Sequence, residues 1–466
     1  TYTKNIGDSD WTQGAVPNNV PGGVLWPRVS GDINSDYVHV IGITTPEAFD
    51  GEPFEGMYQH LVYSRSSDGG ATWDLVNMVI PGADTSSYNP ISADSYAIDS
   101  RDNYVTVGIF PSWGDVAIFK SEDYGVTWSK SIVNDFPLDK YEAGTGYTID
   151  DLAGSDFAGP DSLAIFTSDE SGAILIDNNG QVHVWFGEMY VIDSGGFSYY
   201  PDWSGLRYWN ESLGVNESQL IADLVDHDGS GVIEIEEGQF GGYQNSLTSF
   251  PSAGIDADNN IYLSYSGVTE EHMNTAQMQH YRHVYMMKTT DSGATWTEPY
   301  DMINADFYEE PEFIPFIEAV YASIARWVDS EIHFTFQEDL SPGLVAWIDE
   351  DPAQISNIVY FSANAVDFSN TTVSNKEITT NAFGLSVQPN PATTSFTLSY
   401  ELETTGDVQI RLLNSLGQLI HSIDYQQQAA GQYNLPISTT ADMTSGLYLV
   451  QIQQADSSAA LKVIIE

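Results

Sequence analysis

Cysteine is absent from all 466 residues, which excludes disulfide staples, thiolate metal sites and thiol nucleophiles together. Basic residues are scarce: 14 Lys and Arg stand against 66 Asp and Glu, for a net charge of -52. Such a surface repels nucleic acid and anionic lipid, and favours calcium and salty surroundings. No apolar stretch reaches the roughly 18 residues that a bilayer-spanning helix needs. Disorder is excluded in turn by a hydrophobic content of 42% and an aromatic content of 12%. The length leaves room for two domains, one of them large.

Against these absences stands an octapeptide, Ser-x-Asp-x-Gly-x-Thr-Trp, that occurs at three distant places. The copies are Ser66, Asp68, Gly70, Thr72 and Trp73; Ser121, Asp123, Gly125, Thr127 and Trp128; and Thr289, Asp291, Gly293, Thr295 and Trp296. Repetition at a distance means that one supersecondary unit is reused. Asp and Ser or Thr side chains bond nearby backbone N–H groups, Gly supplies positive φ at low cost, and Thr-Trp restarts a strand. The pattern resembles the Asp box, or BNR repeat, of sialidase-like β-propellers. That resemblance implies a turn at the blade periphery, away from the mouth that carries the catalytic site of those proteins.

Five segments share a second pattern, a turn leading into an alternating strand, at Val38, Val105, Val182, Ile261 and Ile332, roughly 65 to 80 residues apart. Three are followed by an octapeptide; the others are followed by strand-like Leu206–Ser212 and Asn357–Ala363. The spacing predicts an all-β propeller over residues 1–366, with six blades favoured from the resemblance and five to seven as the range. Residues 367–383, rich in Asn, Ser and Thr, read as a linker.

Residues 384–466 carry seven acidic and two basic residues, a different balance, and break into short alternating strands that predict a small Ig-like β-sandwich. The ordered set Pro389-Asn390-Pro391, Gly406 to Ile410, Leu416-Gly417-Gln418, Ser445 to Tyr448 and Lys462 to Ile464 resembles the type A sorting domain of the Bacteroidetes type IX secretion system. The resemblance implies passage through the periplasm, the type IX machinery as partner, and a secreted or outer-membrane-attached protein.

The sharpest chemical motif runs from Asp226 to Glu237 (DHDGSGVIEIEE). Its spacing is that of a twelve-residue EF-hand loop, with Asp226, Asp228, Ser230, the Val232 carbonyl, Glu234 and Glu237 as oxygen ligands and Gly231 at the sharp turn. Calcium is the implied cofactor. Leu220, Ile221, Leu224 and Val225 predict a helix entering from Ser218, whereas Gly238, Gly241 and Gly242 break any exit helix, so the loop reads as a structural staple.

The sialidase resemblance also implies an arginine triad and a nucleophile, and neither is assignable. Arg28 sits in a partial echo of that family's arginine signature, and Arg207 lies beside Tyr208 and Trp209; Arg28, Arg207 and Trp209 are the candidate ligand-binding residues. Arg65 and Arg101 read as structural. His280 and His283 point to opposite faces of a strand and read as satisfied or exposed rather than as metal ligands. With 66 acids, proximity of two carboxylates is uninformative, so no catalytic pair is assigned. The residues favour a glycan-binding or adhesion protein, with an extracellular glycoside hydrolase or lyase, or a subunit of an extracellular assembly, as the alternatives.

Overall fold

The computed structural model describes residues 15–32, 34–148, 150–152, 164–193, 195–201, 204–227, 233, 235, 238–303, 316–344, 356–365, 383–389, 392–414, 419–439, 443, 446–454 and 457–465. Its contacts divide the chain into residues 1–303 with 316–371, and residues 304–315 with 372–466.

In the first unit the alternating segments do what period-2 patterning dictates and pair into antiparallel sheets. Blade I comprises β1 (Val24–Gly31), β2 (Val38–Thr44), β3 (Leu61–Ser66) and β4 (Leu75–Met78). Blade II comprises β5 (Tyr96–Arg101), β6 (Tyr104–Ile109), β7 (Val116–Ser121) and β8 (Ser129–Asn134). Blade III has β9 (Ile165–Ile176), β10 (Val182–Asp193), β12 (Leu206–Asn210) and β13 (Gln219–Ala222), with β11 (Phe197–Tyr200) on the far end of β10. Blade IV has β14 (Thr248–Ile255), β15 (Ile261–Asn274), β16 (Gln279–Thr289) and β17 (Tyr300–Asp301). Blade V has β18 (Glu318–Ile324), β19 (Glu331–Asp339) and β20 (Asn357–Asn364).

The five segments recognised by alternation are the second strands of the five sheets, and Leu206–Ser212 and Asn357–Ala363 supply third strands. Five blades are thus present among the described residues, one fewer than the six favoured. The helix expected from Ser218 is instead strand β13: pairing with β12 completes the sheet, and tertiary pairing overrides a short apolar periodicity.

First strands of successive blades touch one another, β1 with β5, β5 with β9, β9 with β14 and β14 with β18. Arg326, just beyond β18, donates from Nε and Nη2 to the Asp99 carboxylate of β5 at 2.5 and 2.7 Å, and from Nη2 to the Ile176 carbonyl of β9. The row of first strands therefore curves back on itself, and this clamp fastens the C-terminal ends of the inner strands. Between blades lie separate apolar cores. Ile41, Leu61 and Tyr63 pack against Val105 and Val107, whereas Trp185, Leu206 and Tyr208 pack against Leu263, Tyr285 and Met287.

All three octapeptides fold into one turn. The Ser66 hydroxyl donates to Asp68 at 2.9 Å and accepts the Gly70 N–H at 2.8 Å, while the Thr72 N–H and hydroxyl both donate to Asp68 at 2.7 Å. Ser121, Asp123, Gly125 and Thr127 repeat this, as do Thr289, Asp291, Gly293 and Thr295. These donors hold the Asp68 and Asp291 carboxyls below the usual range and bring Asp123 down to about 2. Each turn joins the third and fourth strands of its blade.

The second unit has two antiparallel sheets. One is β21 (Ser386–Gln388), β22 (Ser395–Leu402) and β25 (Gly431–Ser438); the other is β23 (Gly406–Asn414), β24 (Leu419–Gln428), β26 (Gly446–Gln454) and β27 (Ser457–Ile465). They enclose one core that includes Phe396, Leu398, Ile410, Val450 and Val463. Most of the expected linker lies outside the described residues.

Candidate functional site

Opposite the Arg326 clamp, at the N-terminal ends of the inner strands, four of the five strands break register at matching places. The bulges lie between Leu25 and Arg28 in β1, Ser168 and Gly172 in β9, Ser249 and Ser252 in β14, and Val320 and Ser323 in β18. Each contains a non-glycine residue at positive φ: Trp26 (48°), Glu170 (71°), Phe250 (57°) and Tyr321 (56°). Such a backbone costs about 1–3 kcal/mol per residue and re-aims a side chain that regular pleating would send elsewhere. Four such costs at one end of one ring single out the mouth as the candidate site.

Beneath the bulges of blades III to V lies a buried charged cluster. Asp169, Arg282 and Glu318 are each about 1% exposed. Arg282 donates from its backbone N–H to Glu318 Oε2 at 2.7 Å and from Nη1 to the Ser246 carbonyl at 2.9 Å. Its guanidinium lies 4.9 Å from the Tyr243 ring centroid. Asp169 Oδ2 accepts the Ser249 hydroxyl at 2.5 Å and the Ser246 N–H at 2.9 Å, and Oδ1 accepts the Ser171 N–H at 2.9 Å.

The two carboxyls therefore differ. Asp169 has both oxygens engaged, whereas Glu318 Oε1 makes no hydrogen bond of ordinary geometry among the described residues and the Tyr243 hydroxyl interacts with this carboxyl only more loosely. Burial pushes Asp169 up to about 6 and Glu318 up to about 7, against the pull of their donors and of Arg282. Over them sit Tyr243, Phe250 and Tyr321, mutually edge-on, with Phe250 and Tyr321 centroids 4.8 Å apart. Tyr321 is 41% exposed and forms the outward layer.

A cleft of about 120 Å³ opens between blades II and III. Its wall carries Trp113, Phe197 and Tyr199, with Trp113 and Phe197 stacked at 4.4 Å. Glu170, the bulge residue of β9, reaches it and accepts the Ser112 hydroxyl at 2.5 Å.

The residues singled out from the sequence fall as follows. Arg28 is at the mouth, donating to the carbonyls of Tyr96 and Asp94 and lying 4.8 Å from the Tyr96 ring centroid, so it joins blade I to blade II. Arg207 pairs with Glu188 and donates to the Ser218 carbonyl at 3.2 Å. Trp209 is 3% exposed, packed between blades II and III, and its Nε1 donates to the Gly214 carbonyl. Its ring is core, so the candidate ligand-binding role for Trp209 is corrected: an alternating strand sends every second side chain inward. Arg28, Arg207 and Arg282 each hold separate partners and form no converging triad.

Arg65 donates to the Tyr124 carbonyl and Arg101 to the Ile176 carbonyl, both between blades. His280 bonds the Thr269 carbonyl and His283 bonds Asp301 at 2.7 Å. Of the expected calcium ligands, Asp226 is described, whereas Asp228, Ser230, Val232, Glu234 and Glu237 lie outside the described residues. Among the described residues no group of three His, Asp or Glu is placed to hold a metal ion. The acidic stretches at 306–312 and 349–351 also fall outside.

Comparison with known proteins separates the two units. Residues 386–466 match the family described as the secretion system C-terminal sorting domain. The chain is accordingly secreted or held at the cell surface, and this domain implies engagement with the type IX secretion machinery. No helix among the described residues is long and apolar enough to cross a membrane.

No curated protein matches the chain. Solved structures similar to it include an α-L-arabinofuranosidase from Podospora anserina, at 12% identity over 74% of this chain and 93% of that one, with a TM-score of 0.32. A PL25 ulvan lyase matches at 9% identity over 79% and 74%, with a TM-score of 0.36. An α-L-arabinanase from Cellvibrio cellulosa matches at 11% identity over 73% and 91%, with a TM-score of 0.31. Likeness at this level carries nothing about substrate, and the chemistry rests on the mouth itself.

Proposed function

We propose that the propeller is an extracellular polysaccharide-cleaving enzyme, a hydrolase or lyase, with its site at the mouth and Glu318 as proton donor. One observation carries this reading: Glu318 is buried, keeps one carboxyl oxygen without a hydrogen bond of ordinary geometry among the described residues, and has its proton affinity raised to about 7. A carboxyl in that state holds a proton near neutrality, and displacement of the Tyr321 layer above it would let it hand that proton to a leaving sugar oxygen. The Arg282 backbone N–H fixes its other oxygen, and Asp169, saturated by Ser171, Ser246 and Ser249, lies within electrostatic reach of the guanidinium.

The complementary carboxylate of a glycosidase would come from Asp94 or Glu170, both at the mouth. Tyr321, within electrostatic reach of Arg282, Glu318 and Asp94, controls the approach. The exposed rings of Phe197 and Tyr199, with the buried Trp113 stacked behind Phe197, offer apolar faces against which sugar rings stack.

The same wall supports the second reading, a glycan-binding or adhesion protein. A polysaccharide-cleavage screen with calcium present separates the two. Turnover that is lost in Glu318→Gln, with folding retained, supports catalysis. Binding without turnover, equal in both proteins, supports adhesion and removes Glu318 from the chemistry.

We further propose that the Asp226–Glu237 loop binds calcium as a staple between blades III and IV. The motif supports this, as does His227 beside it: its N–H donates to Glu270 and its Nε2 lies 3.1 Å from the Tyr285 hydroxyl of β16. Asp-box assignment of the three octapeptides is likewise our reading, supported by their common hydrogen-bond pattern.

A further inference from the structure

Building on the reading of the mouth as a polysaccharide-cleaving site, we propose that its substrate is uncharged, carrying neither carboxylate nor sulfate, and is cut by hydrolysis rather than by elimination. The few cations of the propeller and their positions carry this. Residues 1–366 contain eleven Lys and Arg. Arg65, Lys120 and Lys288 each stand one residue before an octapeptide, and Arg101 and Arg326 both donate to the Ile176 carbonyl at the clamp. These five therefore sit at the end of the strands away from the mouth.

The described cations nearer the mouth are all held by the protein. Arg28 donates to the Tyr96 and Asp94 carbonyls and lies 3.9 Å from the Asp94 carboxylate. Arg207 pairs with Glu188, and Arg282 is buried. Lys130 Nζ lies 3.8 Å from Asp115 and 4.6 Å from the Tyr88 ring centroid. Lys140, which lines the cleft between blades II and III, donates to the Thr85 carbonyl. Of the eleven, only Lys4 falls outside the described residues, and the segments 153–163, 228–237, 304–315 and 345–355 contain no Lys or Arg in their sequence.

Carboxylates dominate the same surface. The Asp94 side chain is 86% exposed, and Asp115, Asp139 and Glu170 line the cleft against the one amine of Lys140. A uronate or sulfate ester brought here meets like charge and loses hydration without a cationic side chain free to replace it. Elimination from a uronate breaks the C–H bond beside the carboxylate and the C–O bond one carbon on; a base takes the proton, the leaving oxygen gains one, and a double bond joins the two carbons. That hydrogen is acidic only when the neighbouring carboxylate is neutralised. Hydrolysis makes no such demand: the bond from the anomeric carbon to the leaving oxygen breaks, a water oxygen bonds that carbon, the Glu318 proton goes to the leaving oxygen, and the water's proton restores the acid by way of the complementary carboxylate. The exposed rings of Phe197 and Tyr199, with serine hydroxyls in the same cleft, match the apolar faces and hydroxyl groups of an uncharged sugar.

Matched polymers given to the full chain test this: polygalacturonate with its carboxyl-reduced form, carrageenan with its desulfated form, and neutral xylan and mannan. Calcium is present throughout, so a charged polymer has the counterion that the side chains do not offer. New reducing ends report cleavage, ultraviolet absorbance reports an unsaturated product, and retardation in polymer-containing gels reports binding without turnover. The expected result is cleavage of uncharged polymers with no rise in absorbance, lost in Glu318→Gln while retardation persists. Retardation should favour the uncharged member of a pair by about tenfold or more at low ionic strength, and the gap should narrow as NaCl is raised. Asp139→Lys should narrow it too. An unsaturated product, or stronger retardation or faster cleavage with the charged member, overturns the proposal. Retardation by uncharged polymers with no cleavage of any polymer removes the enzymatic reading and the hydrolysis with it, and leaves the charge selection standing; neither retardation nor cleavage by any polymer overturns both.

Discussion

Glu318 and Asp169 illustrate what one residue owes to surroundings that local sequence does not display. Glu318 stands in the strand EAVYASI and Asp169 in TSDESG, and among 66 acidic residues neither looks special. Their environment comes from elsewhere: Arg282 and Tyr243 belong to blade IV or its approach, and burial is a property of the ring. The legible trace was a lone carboxyl heading an otherwise apolar inner strand. A pH experiment checks the assignment. The folded-state value of Glu318, about 7, lies above its ordinary 4.5, so the stability it contributes is fully present below pH 4.5 and is lost as pH rises through 7. Glu318→Gln, which carries no charge to bury, should gain on the wild type between pH 4.5 and 8, by on the order of 3 kcal/mol. Thermal melts of the two proteins at both pH values measure this; parallel curves would mean that the carboxyl is not held protonated.

The turns and strands divide differently. The octapeptide is legible because its hydrogen bonds are internal to eight residues, so sequence alone specifies the turn. Its mate is not: Tyr63 and Tyr208 come from the preceding blade, and no spacing rule points to them. Gly125→Ala should cost about 3 kcal/mol, because the methyl meets Tyr63 at a positive φ, whereas Gly70→Ala should cost about 1 to 2 kcal/mol from φ alone. Urea unfolding of both variants reads the difference. The mouth bulges were half-visible. Pro27 follows Trp26 and Pro251 follows Phe250, and a proline inside an inner strand is a sign of broken pairing. The β9 and β18 bulges carry no such mark, and β13 misled because four apolar residues near a calcium-like loop fit a helical face as well as a sheet edge.

For the protein as a whole, a charge of -52 governs how the fold responds to its solvent. Mutual repulsion among carboxylates favours expansion and is screened by salt, so melting temperature should rise between low and molar NaCl. Calcium should add a separate increment that a chelator removes and that Glu237→Gln abolishes, while the salt response persists. Calorimetry of both proteins with and without chelator distinguishes the two effects; identical melts would remove the loop from the account. Architecture at this level was legible through repetition, which gave the propeller and the second strand of each blade. Blade number was less so, because roughly 65 to 80 residues per repeat leave room for either long loops or another sheet.

The bulges of β1, β9, β14 and β18 also separate two kinds of change. The interblade cores take their side chains from the regular part of each sheet, and Trp26, Glu170, Phe250 and Tyr321 stand outside that pattern. Exchanging those four leaves the packing periodicity untouched, so a library limited there to residues that accept a positive φ, such as Gly, Asn and Asp, would sample new recognition surfaces with the interblade cores intact.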